Sequence, residues 1–410
     1  MSQRGMRSST KRGLPVTTMD PNAKERAFLL TEGGPLYRIQ KRLKLIRERS
    51  PQVLVAGLSI FVTWVPLFIL SAAQGGAYRT ATVAVPFLHD FGAYTRFLVA
   101  LPILILAETF LGPRLAKAAA FFVTSGLVLE KDYSRFDAAI ERGLRLRDST
   151  AAELLLVAGG YAISLTALKS MAVHAATWSA SYTGTGFHLT WAGWWLVAFC
   201  SPFLNFLLLR WVWRLFLWGQ FLWRMNKLDL QLFPPHPDEA GGLGFVGRAQ
   251  QFFGIILFAY SAATAGVLAD TVIYDKVPLQ HFAGPVVAYV VIAVGIVLAP
   301  LLVFAVRMHE TKIKGLYQYG SLATSYTSAF HHRWIKKDPA ASEPLLGTAD
   351  LQSLADLGNS YGFIKGMDDL PMNPRTPIHL ALACLIPMAP LLLIVLPLKE
   401  MLKLLFKAVL

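Results

Sequence analysis

The stretch Val53–Ala73 reads VLVAGLSIFVTWVPLFILSAA and has no charged residue in its 21 positions. An α-helix needs about 20 apolar residues to cross ~30 Å of hydrocarbon. The stretch is therefore long enough to span a membrane, and it is longer than the apolar part of a typical cleavable signal peptide. Because a polar and basic segment precedes it, we interpret it as a first transmembrane span that is retained.

Six more stretches have the length and hydropathy of transmembrane spans. They are Phe97–Leu115, Leu154–Ala176, Trp191–Leu209, Phe252–Tyr274, Pro285–Val306 and Ile378–Leu396. Glu108 interrupts the second span, and the last contains Pro387 and Pro390, which could kink it or make it re-enter the membrane. The pattern predicts an all-α fold, a polytopic transmembrane helix bundle of about seven spans.

The composition supports this class of protein. Charged residues make up 16% of the chain, against roughly 25% in soluble domains. The formal net charge of +14 is typical of Lys and Arg in loops that face anionic lipid, and we prefer this interpretation to nucleic-acid binding. The two cysteines, Cys200 and Cys384, lie in apolar segments, which excludes a disulfide framework and a cysteine-based zinc site.

The numbers of Lys and Arg between the predicted spans indicate the orientation. In chain order the segments contain 12, 2, 6, 0, 5, 1 and 8 of these residues. Lys and Arg are enriched in cytoplasmic loops, so this alternation predicts a cytoplasmic N-terminus. Where the fourth span is predicted to end, Arg210 and Arg214 are interpreted as residues that reach the lipid headgroups, within an interfacial belt that includes Trp211 and Trp218.

The predicted organisation follows from the spans and their orientation. It comprises a basic cytoplasmic N-terminal arm (1–52), a six-span bundle (53–306) with cytoplasmic loops at 116–153 and 210–251, a cytoplasmic loop (307–377), and a seventh hydrophobic segment followed by an amphipathic C-terminal helix (378–410). Apolar residues at helical spacing predict a surface helix at Ser134–Arg147 and a second one near Leu351–Leu357.

Four ionisable residues fall inside the predicted spans, where charge is costly. They are Glu108, Lys169, His174 and Asp270. Such residues can line a transport path, but they can also form structural ion pairs or lie at an interface, and the sequence leaves these alternatives open. Lys169 and Asp270 are expected at similar depth in the membrane from the helical rise, which predicts that they pair.

The segment between the fourth and fifth spans reads PPHPDEAGGLGFVG (234–247). Its candidate residues are His236, Asp238, Gly241, Gly242, Gly244 and Gly247. The glycines contain a GxGxxG pattern, but no predicted strand precedes it, which argues against a dinucleotide site. Two alternatives remain: a tight turn with a residue at positive φ against the fifth span, or an anion site formed by backbone N–H groups at a helix N-terminus.

No other motif points to a chemical activity. His236 and Asp238 could join His309, His331 or His332 around a metal, but the spacing of a known metal site is missing, so no metal is predicted. The chain has no nucleophile elbow, Walker motif or kinase motif. An enzyme is therefore the least favoured class, and the sequence names no cofactor.

Three segments carry a resemblance to a known family. They are VPFLHDFGAYTRFLVALPILILAE (85–108), HPDEAGGLGF (236–245) and LQSLADLGNSYGFIKGMDDLP (351–371). Together and in this order they resemble a family of uncharacterised bacterial multi-spanning membrane proteins. The resemblance implies a location in the bacterial inner membrane and no particular activity.

Two functions are compatible with these features. The first, favoured by the sequence, is transport or channel activity that uses Glu108, Lys169 and Asp270 within the bundle. The second is a membrane-anchored binding or scaffold protein whose cytoplasmic loops recruit a protein partner or a nucleotide through Gly241–Gly247 and Leu351–Gly358. Contact with the lipid bilayer is expected in both cases, and the sequence leaves the oligomeric state open. Charges that line a continuous polar path would favour the first function, and charges that pair locally would favour the second.

Overall fold

The computed structural model describes residues 28–43, 51–78, 83–171, 177–183, 186–336 and 349–395. These residues form an all-α bundle with one short antiparallel β-hairpin, β1 (Ala180–Thr183) and β2 (Gly186–Leu189). The longer helices are α1 (Gly34–Arg42), α2 (Pro51–Ala73), α3 (Phe91–Thr124), α4 (Tyr133–Arg147), α5 (Thr150–Met171), α6 (Trp191–Asn226), α7 (Gly244–Tyr274), α8 (Leu279–Ile335), α9 (Ala349–Gly366) and α10 (Thr376–Ile394).

Seven of these helices are long and apolar enough to cross a membrane, namely α2, α3, α5, α6, α7, α8 and α10. They coincide with the seven stretches predicted from hydropathy. The all-α, polytopic fold is therefore confirmed, and the chain is a multi-pass membrane protein. The orientation of the bundle stays a prediction.

Several helices extend beyond the predicted spans. Helix α6 continues to Asn226, α7 begins at Gly244, and α8 runs for 57 residues to Ile335. The predicted loop 210–251 is thus reduced to residues 227–243, and much of the predicted loop 307–377 is helical. Hydropathy detects the lipid-facing part of a helix, but a helix continues wherever one of its faces packs against neighbouring helices.

Prolines account for irregular turns inside the spans. In α3 a π-helical segment, Thr95–Ala100, comes just before Pro102, and in α6 a similar segment, Leu196–Cys200, comes just before Pro202. Proline has no N–H to donate to the preceding turn, so the local hydrogen-bond pattern changes there. Helix α10 contains a 3₁₀ turn at Ile386–Leu391 and remains one helix of spanning length.

The core lies where α3, α6 and α7 meet, and its polar groups are bonded within it. The Trp218 indole N–H donates to Oε1 of Gln250 over 2.8 Å, and the Gln250 amide donates to the carbonyl of Val297 in α8. Trp211 donates to the carbonyl of Leu104 over 2.9 Å. Trp211 and Trp218 are fully buried, so their predicted place in an interfacial belt is wrong. An amphipathic Trp side chain serves a core as well as an interface when its N–H finds an acceptor.

The loops at residues 125–132, 227–243 and 367–375 lie at one end of the bundle, which we call the basic end. The distribution of Lys and Arg predicts that this end is cytoplasmic. Here α8 continues past its apolar part, and α9 packs against the continuation. The phenol of Tyr326 donates to the carbonyl of Asp350 over 3.0 Å, and Lys312 donates to the carbonyl of Met367 over 2.7 Å. We call Ala305–Ile335 together with α9 the projecting hairpin.

The structure also tests the predicted elements outside the spans. The surface helix predicted at Ser134–Arg147 is confirmed as α4, and the helix predicted near Leu351–Leu357 is confirmed as the longer α9. The N-terminal arm up to residue 27 and the predicted C-terminal amphipathic helix lie outside the described residues.

Candidate functional site

Glu108 is the centre of a buried polar cluster that joins three spans. Its Oε1 lies 3.1 Å from Nη1 of Arg210 and 2.8 Å from Nη2 of Arg214, both on α6. Its Oε2 accepts a hydrogen bond of 3.1 Å from the amide of Gln52 at the start of α2. Glu108 is 6% exposed and Arg214 is 3% exposed. The prediction that the two arginines extend to the headgroups is therefore wrong, because a buried carboxylate holds both.

Two arginines share one carboxylate in this cluster, so Arg214 is only partly satisfied. Its Nη2 is close enough to Glu108 for an ion pair but is not aligned for a hydrogen bond. Its Nη1 has no hydrogen-bond partner among the described residues. The guanidinium carbon lies 4.6 Å from the centre of the Trp211 ring, which supplies a cation–π contact.

Helix α1 begins next to the cluster, where Nη2 of Arg210 donates to the carbonyl of Gly33 over 3.5 Å. The N–H of Gly34 donates to Oδ1 of Asp148 over 2.8 Å, and the N–H of Leu36 donates to both oxygens of Glu153. Carboxylates at a helix N-terminus are favourable because the first N–H groups lack partners within the helix. Between α1 and Arg214 lies a cavity of about 20 Å³, which is the size of a single water site.

Asp270 binds to the start of another helix. Its two oxygens accept hydrogen bonds from the backbone N–H groups of Phe91 and Gly92, at 3.0 and 2.8 Å. Asp90 accepts from the N–H of Ala93 over 2.6 Å, so two carboxylates cap the N-terminus of α3. Asp270 thus joins α7 to α3 and is held by backbone donors.

The other two intramembrane candidates are Lys169 and His174, and their contacts are not described by the structure. The side chain of Lys169 and the whole of His174 lie outside the described residues. The predicted pair between Lys169 and Asp270 therefore stays a prediction, whereas the backbone partners of Asp270 were not predicted at all.

The glycine segment forms a turn around the carboxylate of Asp238. Oδ1 of Asp238 accepts from the N–H groups of Ala240 and Gly242, both at 3.0 Å, and Oδ2 accepts from the N–H of Gly244 at 2.8 Å. Nδ1 of His236 lies 2.7 Å from Oδ1. The expected group of backbone N–H donors at a helix N-terminus is present, and the anion that it binds is a side chain of the same loop.

These contacts lower the pKa of Asp238 below the ordinary value of a carboxyl group. Burial works against ionisation of this carboxyl group, but the three backbone N–H donors and the neighbouring His236 outweigh it. Asp238 therefore stays ionised and holds the turn closed. This arrangement supports the structural alternative for the loop rather than the binding of an external anion.

The individual glycines have different roles. Gly241 and Gly242 adopt φ values of 63° and 98°, which confirms the predicted turn with a residue at positive φ. Gly244 and Gly247, in contrast, lie in the first turns of α7, so the turn is shorter than predicted. A Cβ on Gly247 would collide with the backbone of Pro371 and Met372, so this glycine permits close contact with the loop before α10.

The proposed metal ligands do not converge. His309 lies 3.1 Å from Asp369, whereas His236 contacts Asp238. Among the described residues no group of three or more His, Cys, Asp or Glu side chains is placed to hold a metal.

The projecting hairpin presents a surface that the sequence indicated only in part. Its residues 315–330 contain no charged side chain and include three tyrosines. Within the whole hairpin only three residues are buried, namely Met308, Gly315 and Ile364. Large apolar side chains are exposed, with Tyr317 at 78%, Leu322 at 54% and Leu351 at 53%. Charge depletion with exposed Tyr and Leu is typical of a protein-binding surface.

Comparison of the chain with protein-family models, with curated proteins and with solved structures gives no match in any of the three. The resemblance to a bacterial membrane-protein family therefore stays a prediction, and so does the inner-membrane location that it implies.

Proposed function

We propose that the protein is a membrane-anchored binding protein that recruits a protein partner through its projecting hairpin. The observation that carries this proposal is the exposed and uncharged surface of residues 315–330 together with Leu351. The 31 residues of Ala305–Ile335 reach about 46 Å at the helical rise, which is more than the thickness of the hydrocarbon. This part of α8 extends beyond the apolar span, and the 18-residue α9 packs along it, so the pair is accessible from the aqueous side.

The intramembrane carboxylates support the same proposal. Glu108 is bound by Arg210, Arg214 and Gln52, and Asp270 is bound by two backbone N–H groups. Local pairing of this kind connects the spans to one another, as expected of groups that stabilise an anchor. The loop around Asp238 is likewise closed by its own carboxylate, whereas the hairpin is an open surface at the same end.

Transport, the function favoured by the sequence, is the second candidate. One observation favours it: Arg214 is buried inside the bundle with an Nη1 that has no partner among the described residues. An anionic substrate could use such a group. The cavity beside Arg214 has a volume of only about 20 Å³. A transport path through this site would therefore have to open before a substrate could pass.

In-cell photo-crosslinking tests the proposal. A photoreactive amino acid at Tyr317 or Leu351 is expected to give one defined protein adduct of higher mass. A matched probe at Arg145, which is exposed on α4 at the same end, is expected to give none. The substitution Ile313→Asp, one helical turn from Tyr317 on the same face of α8, should remove the adduct at Tyr317, because a carboxylate cannot be buried in an apolar contact without a partner.

The result that would contradict the proposal is equally specific. Adducts of equal yield at Tyr317 and Arg145, or an adduct at Tyr317 that persists in Ile313→Asp, would mean that the hairpin is not a binding surface. The transport candidate would then be the better account.

A further inference from the structure

An apolar groove lies beside α1 on the side of the bundle that faces lipid. Its volume is about 340 Å³, and it is open on one side. Leu36 and Ile39 of α1 form one wall, and Val157 of α5 and Phe203 of α6 form the other. Neighbouring side chains of α5 such as Leu155 are strongly exposed, as expected for a helix surrounded by lipid.

The groove has the length of one lipid leaflet. It extends along α5 from Thr150 to Tyr161. These eleven helical steps correspond to about 16 Å, which is half of the ~30 Å hydrocarbon core. One end of the groove lies at the basic end of the bundle and the other near the middle of the span, so its shape fits an acyl chain that enters from the basic end.

The rim of the groove at the basic end is positively charged. Helix α1 places Arg38, Lys41 and Arg42 in exposed positions, and helical spacing puts Arg38 and Arg42 within one turn of Ile39. The sequence continues with Lys44, Arg47 and Arg49, and Glu48 is the single acidic residue from 38 to 49. Clusters of this kind beside a span attract anionic lipid.

One acidic residue at the groove sets where a headgroup can lie. Glu153 lines the basic end of the groove, and both of its oxygens accept from the N–H of Leu36. Its charge repels a phosphate from the wall formed by α5. A phosphate is therefore directed to the outer rim, toward Arg38 and Arg42.

We propose that this groove is a binding site for an anionic phospholipid, with one acyl chain between Ile39, Val157 and Phe203 and the phosphate on Arg38 and Arg42. The site is independent of the projecting hairpin. It also gives α1 a role, since a lipid bound there bridges α1 to α5 and α6.

Native mass spectrometry of the full-length protein in detergent tests the proposal, with phosphatidylglycerol and phosphatidylcholine as probes. The wild-type protein is expected to retain one phosphatidylglycerol about tenfold more tightly than phosphatidylcholine. Arg38→Gln combined with Arg42→Gln should remove this preference. Val157→Trp, which fills the groove, should remove the retained lipid altogether, and Leu154→Trp provides the same test if Val157→Trp lowers the thermal stability.

Matched controls distinguish this site from ordinary surrounding lipid. The first control is Val291→Trp, which adds the same bulk on an exposed face of α8 away from the groove. The second control is Arg145→Gln combined with Arg142→Gln, which removes two charges from α4 at the basic end. Neither control should change retention. The proposal is overturned if the controls reduce retention as much as the groove and rim variants do. It is also overturned if the Arg38 and Arg42 variant keeps the full preference, because the occupant would then be an apolar chain without headgroup recognition.

Discussion

The buried cluster around Glu108 and the projecting hairpin are opposite in character. In the cluster, one carboxylate contacts two arginines and a glutamine from two other spans, and all four side chains are buried. In the hairpin, two helices of 31 and 18 residues bury only a few side chains and leave Tyr317 and Leu322 exposed. The cluster has charge without exposure, whereas residues 315–330 of the hairpin have exposure without charge.

This difference indicates which region stabilises the fold and which is available to a partner. Removing a buried charge leaves its partners uncompensated in a medium of low dielectric constant, so the cluster should control stability. Replacing an exposed side chain usually changes stability very little, so the hairpin can be altered without unfolding the bundle. Substitutions in the two regions should therefore have opposite effects on stability and on binding.

Glu108→Gln is expected to have the largest effect on stability. It removes the only carboxylate within ion-pair distance of the buried Arg210 and Arg214 among the described residues, which should cost about 3–5 kcal/mol. Thermal unfolding in detergent and the yield of monodisperse protein in size-exclusion chromatography measure this loss. Glu130→Gln, an exposed Glu at the basic end, is the control and should change stability by less than about 0.5 kcal/mol. If Glu108→Gln is as stable as the control, the cluster does not hold the spans together.

Asp238→Asn should have the next largest effect. The amide cannot accept from all three backbone N–H groups, and the expected loss is about 2 kcal/mol. The pH dependence follows from the lowered pKa of Asp238: its stabilising effect is present above the ordinary carboxyl pKa of 3.8 and is lost as the pH falls through the lowered value. Acidification should therefore narrow the difference in Tm between the wild type and Asp238→Asn. Asp137→Asn on α4 is the control, and a difference that widens in acid would contradict the account.

Hydropathy predicted the seven spans because burial in lipid is a property of each segment alone. The partners of Glu108 could not be found in this way, since Arg210 is 102 positions away. A signal did exist. From the observed helix starts at Phe91 and Trp191, Glu108 and Arg210 lie at ~26 and ~28 Å, which is nearly the same depth. The predicted start at Phe97 shortened the first distance and concealed the match.

The glycine loop also shows which features can be predicted from sequence and which cannot. The sequence predicted a residue at positive φ and a group of backbone donors, both of which depend on local residues. It did not predict that Asp238 is the acceptor, because an internal carboxylate and an external anion require the same donors. The exposed surface of the hairpin could not be predicted either, since helical spacing does not reveal which faces of a helix remain uncovered by its neighbours.

Gly242→Ala should have a smaller effect on stability. Its φ of 98° is unfavourable for any residue with a Cβ, which should cost about 1–2 kcal/mol. Gly358→Ala is the matched control, because Gly358 lies in α9 with open space around it. Replacing this helical glycine should raise stability by about 0.5–1 kcal/mol. Shifts in Tm of the same sign for both variants would contradict the different roles assigned to the two glycines.

Tyr317→Ala and Leu322→Asp should have the smallest effects on the purified protein, within about 0.5 kcal/mol of the wild type in thermal unfolding. Both side chains are exposed, so neither substitution leaves a cavity or an unpaired buried group. A large loss of stability in either variant would show that the hairpin packs against the bundle, and it would remove the contrast between the two regions.

Hydrogen–deuterium exchange tests the central claim most directly, namely that the hairpin is a binding surface for a partner. Exchange in residues 313–330 and in α9 would be compared between native membrane vesicles and purified protein, with α4 as the reference at the same end. We expect exchange in the hairpin to be slower in the native membranes, because a partner covers it there, and exchange in α4 to be equal in both. Equal exchange of the hairpin in the two preparations would contradict the account.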